Sequence, residues 1–149
     1  MQRMHREYEL SDDRSRIDLD RVHRWLSSSY WSPGVRRDVV ERAMHGSSLI
    51  IGAFLHNEQI GYARVVSDKA TFAWIADVYV DESHRCKGVA RAMVGFALND
   101  PQHQNLRRWL LATKDAHGVY AALGFAPLSE PQRFMYFRPD PSGWSNTPP

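Results

Sequence analysis

Thr71 to Ala97, TFAWIADVYVDESHRCKGVARAMVGFA, passes from an apolar strand pattern into a basic, glycine-bearing loop and then directly into a helical pattern. A loop between a strand end and a helix start turns successive backbone N–H groups toward one point, and the helix dipole adds positive potential there. Within Arg85-Cys86-Lys87-Gly88-Val89-Ala90, Gly88 permits close approach of the backbone, while Arg85, Lys87 and the following Arg91 bring charge. The combination describes an anion site, and a pyrophosphate is the ligand it suits.

Templates narrow the choice. A Walker loop requires Gly-x-x-x-x-Gly-Lys-Ser/Thr and a dinucleotide fingerprint requires Gly-x-Gly-x-x-Gly; neither occurs here. What does occur is Arg85-x-x-Gly88-x-Ala90, directly after Val78-Tyr79-Val80. This resembles the GNAT superfamily of acyl-CoA-dependent N-acyltransferases, whose signature is Gln/Arg-x-x-Gly-x-Gly/Ala after a strand end of the Val-x-Val kind. A second match lies downstream. Tyr120-Ala121-Ala122-Leu123-Gly124-Phe125 resembles the family's Leu-Tyr-x-x-x-Gly-Phe motif, in the order and at about the distance the family has. With its flanking elements the resemblance runs from about Tyr8 to Phe137.

The chain fits one such unit. Its 149 residues allow a good core and leave no room for a second one, and a hydrophobic fraction of 43% is ordinary for a globular protein. No apolar run approaches a membrane span, and Met1 to Arg6 is polar, unlike a signal peptide. A cytoplasmic location is expected, and the single cysteine, Cys86, excludes an intrachain disulfide framework. Nine arginines fall within residues 1–42, yet Glu7, Glu9, Asp12, Asp13, Asp18, Asp20, Asp38 and Glu41 nearly cancel them. This mixed surface, without a one-signed stripe or stacking groove, argues against nucleic acid as a partner. The seven histidines have no His-x-x-x-His or comparable spacing, so no metal site is expected.

Periodicity supplies the expected elements. Glu7 to Ser11 alternates as an edge strand. Asp18 caps a helix with Leu19, Val22, Trp25 and Leu26 on one face, and Ser32-Pro33 opens a second helix that Gly46 stops. Leu49 to Leu55 and Gln59 to Val66 form a hairpin across His56-Asn57-Glu58, and Thr71 to Val80 is a central strand, apolar on both faces. A helix carries Ala90, Met93, Val94 and Ala97. Trp109 to Thr113 is a buried strand, Ala116 to Leu123 a short helix closed by Gly124, and Arg133 to Phe137 a final strand. Residues 1–138 are expected to form the domain, and 139–149, rich in proline and serine with only Trp144 to bury, a loosely held tail. The resemblance implies an α/β (α+β) GNAT-like fold, its mixed and mostly antiparallel sheet splayed near the cofactor loop.

It also implies direct acyl transfer from acetyl-CoA, as cosubstrate, to an amine. The amides and carbonyls of Val78, Tyr79 and Val80 would pair with pantetheine like an added strand, and an N–H near Val80 would hold the oxyanion. The pyrophosphate would fall on Arg85, Cys86, Lys87, Gly88, Val89 and Ala90, with Arg91 nearby, and Thr113 stands where many members have an asparagine that meets the cofactor. Many members also have glycine in place of Cys86. An amine with a pKa near ~10.4 must lose a proton before it attacks. Asp77 on the central strand and His117 at the start of the short helix are the candidate bases, Asp77 first, with a purely structural role for Asp77 as the alternative. Tyr120 occupies the family's general-acid position. A phenol at about 10 protonating a thiolate at about 8.5 is uphill by roughly 2 kcal/mol, so its proton moves only as the C–S bond breaks. Tyr30 and Trp31 fall at the lip of the family's acceptor pocket, where a small-molecule or peptide amine would bind, with Asp68 or Arg64 contributing charge. A buried aromatic pair is the competing account of Tyr30 and Trp31. A monomer or homodimer is expected, and a non-catalytic acyl-CoA-binding or sensor domain is the alternative function.

Overall fold

The structure, a computed structural model, describes residues 1–146. Among them six strands form one sheet in chain order: β1 (Gln2–His5), β2 (Tyr8–Ser11), β3 (Leu49–Leu55), β4 (Glu58–Ser67), β5 (Phe72–Val80) and β6 (Arg108–Leu110). All neighbours are antiparallel except β5 and β6, which run parallel. Helices α1 (Leu19–Ser27), α2 (Arg37–Gly46), α3 (Val89–Leu98) and α4 (His117–Ala121) complete the fold.

The sheet is central because its strands carry apolar side chains toward both faces. On one face Ile51, Ala53, Val65 and Ala73 pack with Met93, Phe96 and Ala97 of α3. On the other, Ile50 and Tyr62 meet Val22, Trp25 and Leu26 of α1 and Val40 and Met44 of α2. Helix α1 starts where Asp18 accepts the Arg21 N–H at 3.0 Å, which satisfies one of the amides a helix start leaves over. Behind α3, His103 is buried with its Nδ1 2.6 Å from Asp100 and its Nε2 2.8 Å from Ser48 Oγ, tying the helix exit to the start of β3.

Three expectations are corrected. Tyr8–Ser11 is not an edge strand, because the polar residues Gln2–His5 pair outside it; alternation of polar residues carries no signal of burial. Pro33 does not open α2. Gly34 is left-handed at φ 68° and Val35 bridges Ser145, so the chain turns before the helix begins at Arg37. Arg133 to Phe137 is no strand: Pro131–Arg133 forms a 3₁₀ turn, and residues 134–137 lie in the open. Beyond residue 138, Pro141–Gly143 forms a further 3₁₀ turn, Trp144 packs against the α1–α2 cluster, and the Arg36 and Asn146 amides donate to Trp144 and Gly34 carbonyls at 2.8 and 2.9 Å. One aromatic ring and a few backbone bonds hold this segment; residues 147–149 of the expected tail lie outside the described residues.

Candidate functional site

The sheet opens where its one parallel pair ends. β6 follows β5 only from Phe72 opposite Arg108 to Trp74 opposite Leu110, so the rest of β5, up to Val80, has β4 on one side and, among the described residues, no strand on the other. Strand alternation fixes what faces the gap. The Asp81 N–H turns to the Ile60 carbonyl of β4 at 2.8 Å, so the N–H and carbonyl of Val80 point the other way. Tyr79 is spent on packing: its ring stacks on Trp25 at 5.1 Å. Val78 lies against the α3-side core.

At the end of β5 the chain turns through Glu82–His84 and reaches α3 by two left-handed residues, Cys86 at φ 60° and Gly88 at φ 78°. Gly88 is the helix N-cap, and the first intrahelical bond runs from the Ala92 N–H to its carbonyl at 3.0 Å. The amides of Val89, Ala90 and Arg91 therefore have no partner within the helix and emerge together at its positive end. A Cβ on Gly88 would sit 3.2 Å from His5 Nε2, a tight contact that the His5 ring would have to ease, and at φ 78° any other residue would be strained. Cys86 is exposed, as are Arg85 and Arg91, while Lys87 is half-buried.

Several braces hold this loop. The Arg85 Nε–H donates to the Val80 carbonyl at 2.9 Å, with its guanidinium carbon 5.2 Å from the Tyr79 ring centre. His5 Nε2 meets the Lys87 carbonyl at 2.9 Å, and the Tyr8 hydroxyl meets His84 Nδ1 at 3.0 Å. These last two contacts come from the β1–β2 hairpin, and no sequence spacing announces them: His5 and Lys87 are 82 positions apart.

Across the opened sheet lies a cavity of about 690 Å³. Tyr30, Trp31, Trp74 and Trp144 give it aromatic walls, and Arg64, Asp77 and Tyr120 bring polar atoms. Asp77 stands at a β-bulge, left-handed at φ 54°, where the register between β4 and β5 shifts. One carboxylate oxygen accepts the Trp31 indole N–H at 2.9 Å and the other accepts Arg64 Nε–H at 2.6 Å. Two of its lone pairs are thus engaged and others remain. Near this pair the Tyr62 hydroxyl is buried with no hydrogen-bond partner among the described residues, and burial first, then the Asp77 charge, raises its pKa far above the ordinary phenol value.

Tyr120 projects from α4 into the same cavity, edge-on to Phe125 at 6.0 Å, and its hydroxyl makes no hydrogen bond among the described residues. Burial, followed by Tyr30 and Asp115, raises its pKa above the usual tyrosine range, so it remains a phenol. Gly124, at φ 97°, ends this turn, and the Phe125 N–H returns to the Tyr120 carbonyl at 3.1 Å. The Thr113 hydroxyl accepts the Ala116 N–H at 3.1 Å and caps the approach to α4. Tyr30 is not a buried filler: it and Trp31 are exposed, edge-on to each other at 5.0 Å, and the Tyr30 hydroxyl accepts the Lys114 N–H at 2.9 Å.

Two candidates fall outside this arrangement. His117 is exposed at the start of α4 and does not line the cavity. Asp68 is used within the β4–β5 turn, accepting from Ala70, Thr71 and Phe72 amides and the Thr71 hydroxyl; these bonds, the Thr71 hydroxyl foremost, hold its carboxyl far below the ordinary range. Trp74, which the strand pattern reads as core, and Trp144, the one residue of the tail with something to bury, are walls of the cavity. Among the described residues no cluster of three His, Cys, Asp or Glu side chains is arranged to hold a metal, and no helix is long and apolar enough to cross a membrane.

The model of the acetyltransferase (GNAT) family matches residues 8–125. The chain belongs to that family, and acyl transfer is the chemistry that membership carries. A GNAT-family protein from Xanthomonas campestris pv. campestris is similar over 88% of this chain and 92% of its own, with 40% identity and a TM-score of 0.84. A GNAT-family acetyltransferase from Streptococcus pneumoniae shares the fold at 20% identity and TM-score 0.68, over 89% of this chain and 96% of that one. Glucosamine-6-phosphate N-acetyltransferase from Arabidopsis thaliana shares it at 14% identity and TM-score 0.62, over 82% and 93%. No curated protein matches the sequence.

Proposed function

We propose that this protein transfers an acetyl group directly from acetyl-CoA to a primary amine with an apolar body. The observation that carries the proposal is the opening of β5 from β6 between the unpaired amides at the start of α3 and the aromatic cavity that holds Asp77 and Tyr120. Acetyl-CoA would supply the thioester, its pyrophosphate held by the amides from Gly88 to Arg91 and its pantetheine along the uncovered edge of β5. The Val80 N–H, turned into the gap, would meet the carbonyl oxygen as it gains charge.

The amine nitrogen would enter from the Tyr30 and Trp31 side and lose its proton through a lone pair of Asp77 that Trp31 and Arg64 leave over, directly or through water. Asp77 is assigned ahead of His117 because it lines the cavity. The nitrogen lone pair forms the C–N bond, the nitrogen sheds its second proton to water, and as the C–S bond breaks the sulfur takes the electron pair while the Tyr120 hydroxyl donates to it. The raised pKa of Tyr120 makes full proton transfer to a thiolate still less favourable than in water, so Tyr120 acts chiefly as a hydrogen-bond donor. Walls of Trp31, Trp74 and Trp144 suit an amine carried on an aliphatic or aromatic body.

The engagement of both Asp77 oxygens also supports a second reading, an acyl-CoA-binding domain without turnover. A panel of amines, followed by release of free CoA thiol and by mass of the acylated product, separates the two. Turnover of apolar primary amines supports the enzyme. Saturable acetyl-CoA binding with no amine acylated leaves the binding domain.

A further inference from the structure

The acceptor cavity holds a cation beside its candidate base. Across β4 and β5, Tyr62 pairs with Tyr79 and Arg64 with Ala76; between them β4 has one residue, Ala63, and β5 has two, Asp77 and Val78. The extra residue makes a bulge, where Asp77 turns left-handed at φ 54°, a conformation uncommon within a strand. The turn brings its carboxylate 2.6 Å from Arg64 Nε on the cavity side of the sheet, where Trp31 also reaches it. A simple amine has use for Asp77 but none for Arg64. Yet Arg64 lines the cavity and is only partly spent. Its Nε–H goes to Asp77, one Nη1–H reaches Ser47 Oγ at the long distance of 3.4 Å, and its Nη2 group has no acceptor among the described residues. Lys114 and Asp115, the other charged residues of the lining, are exposed and of opposite sign.

Given acetyl transfer to an amine, on which this inference rests, we propose that the acceptor is a free α-amino acid with an apolar side chain, and that Arg64 binds its carboxylate. An α-amino acid carries its ammonium and its carboxylate on one carbon, as the cavity carries Asp77 and Arg64 in contact. Set against each other, every charge meets its opposite. The nitrogen lies at the lone pairs of Asp77 that Trp31 and Arg64 leave over, and the carboxylate takes charge-assisted bonds from Nη2. Arg64 and Asp77 are both partly buried, and an anion brought to that depth is tolerated only beside a cation with donors to spare. The apolar side chain rests on Val39, Val40, Trp74 and Trp144, walls without charge. The carboxylate takes no part in the reaction. The nitrogen gives one proton through Asp77 before it attacks and a second to water afterwards. The C–N bond forms, the C–S bond breaks with its electron pair on sulfur, and the products are the N-acetyl amino acid and the CoA thiolate, which water reprotonates.

Matched pairs that differ only by the carboxylate test this: leucine against isoamylamine, and phenylalanine against phenethylamine. Turnover is read by release of CoA thiol and by mass of the product, and binding by calorimetry on the full chain saturated with free CoA. In the wild type, kcat/KM for each amino acid is expected to exceed that of its amine by roughly 10- to 100-fold, the worth of hydrogen bonds to a charged group. Arg64→Gln should bring the two within a few-fold of each other, and Arg64→Lys, which restores a cation, should restore part of the preference. Loss of the brace on Asp77 alone would slow both substrates by one factor and leave their ratio unmoved, so the ratio reports the carboxylate contact. Equal use of amino acid and amine by the wild type overturns the proposal and leaves acetyl transfer to amines standing. So does a preference that Arg64→Gln leaves intact. Amino-acid binding that depends on Arg64, with nothing acetylated, upholds the carboxylate site and removes the enzyme instead. Absence of both binding and turnover of the amino acids overturns the proposal whatever the amines do.

Discussion

The two sides of the opened sheet are built from different materials. On the loop side the working groups are backbone amides, aimed by two left-handed residues and braced by His5, Tyr8 and Arg85. On the cavity side they are side chains, Trp31, Arg64, Asp77, Tyr120 and Trp144, gathered from positions scattered along the chain. A backbone site tolerates change in most of its side chains and fails wherever the chain itself must turn differently. A side-chain site fails gradually, one contact at a time. This predicts that substitutions on the loop side act on cofactor affinity in an all-or-none manner, and that those on the cavity side act on rate and acceptor affinity while CoA binding persists.

The largest effect is expected for Gly88→Asp. The substitution places a Cβ within 3.2 Å of His5 at a backbone angle of φ 78° and adds negative charge where a pyrophosphate would lie. Wild-type protein at a hundredfold excess of CoA over Kd should gain about 2.7 kcal/mol, seen as a rise in Tm, and the variant should gain nothing. A variant that keeps wild-type CoA affinity would remove the loop from the site.

Tyr120→Phe comes next, with a fall of ~10²-fold in kcat on a known acceptor and a CoA Kd within a few-fold of wild type. The ring still fills its place against Phe125 and only the donor is lost. Because the pKa of Tyr120 is raised, its donor form persists beyond pH ~10, so no decline in rate at moderately alkaline pH should trace to this group. Full kcat in the variant, with chemistry shown to limit the rate, would pass the role to solvent.

The same division explains how much was legible in the sequence. The loop side was readable because a left-handed helix start leaves a mark in residue type: Gly88 is the N-cap of α3 at φ 78°. Leu49–Leu55 was readable to the residue because both faces of that strand are buried. The cavity side was only half readable. Asp77, Tyr30, Trp31 and Tyr120 were candidates, but the bond from Trp31 to Asp77 spans 46 positions, and Trp144 enters through a turn that its sequence does not distinguish from a loose tail. The final strand was misread for a related reason. Apolar composition reports what a segment could bury against and not whether the chain carries it there, and Met135 to Phe137 lie exposed.

Asp77→Asn sharpens the comparison from the cavity side. The charge that faces Arg64 is lost while the shape is kept; an amide oxygen can still accept one bond and Ser47 Oγ still accepts from Arg64 at 3.4 Å, so the loss is that of a charge-assisted bond, about 1–3 kcal/mol of stability. The rate should fall by ~10²-fold near neutral pH, where an amine with a pKa near ~10.4 is almost wholly protonated, and recover in part as pH rises and more amine arrives as free base. A pH-independent loss would assign Asp77 to positioning alone. A milder result is expected from Trp144→Ala: acceptor KM should rise several-fold, with CoA Kd unchanged, because one wall of the cavity is removed and no loop contact is touched. An equal loss in both constants would mean that the two sides are not separate.

The smallest effect separates strain from chemistry in the loop. Cys86 holds φ 60°, a conformation that costs an ordinary L-residue ~1–2 kcal/mol, whereas glycine adopts it without penalty. Glycine also gives the unfolded chain more freedom, which offsets roughly 0.5–1 kcal/mol of that relief. Cys86→Gly should therefore raise stability by at most about 1.5 kcal/mol, a Tm gain of up to about 3–6 °C for a chain of this size, and leave CoA affinity equal or slightly tighter. Cys86→Val, branched at Cβ, should move Tm in the opposite direction without adding charge. The thiol itself gives an independent measure of place, because it is exposed and bound CoA should slow its alkylation if the loop closes on the pyrophosphate. Equal alkylation rates with and without saturating CoA, together with a Tm that falls in Cys86→Gly, would show that the left-handed turn at Cys86 is held by contacts of its own side chain, and the claim that this side of the site is made of backbone would fail at that residue.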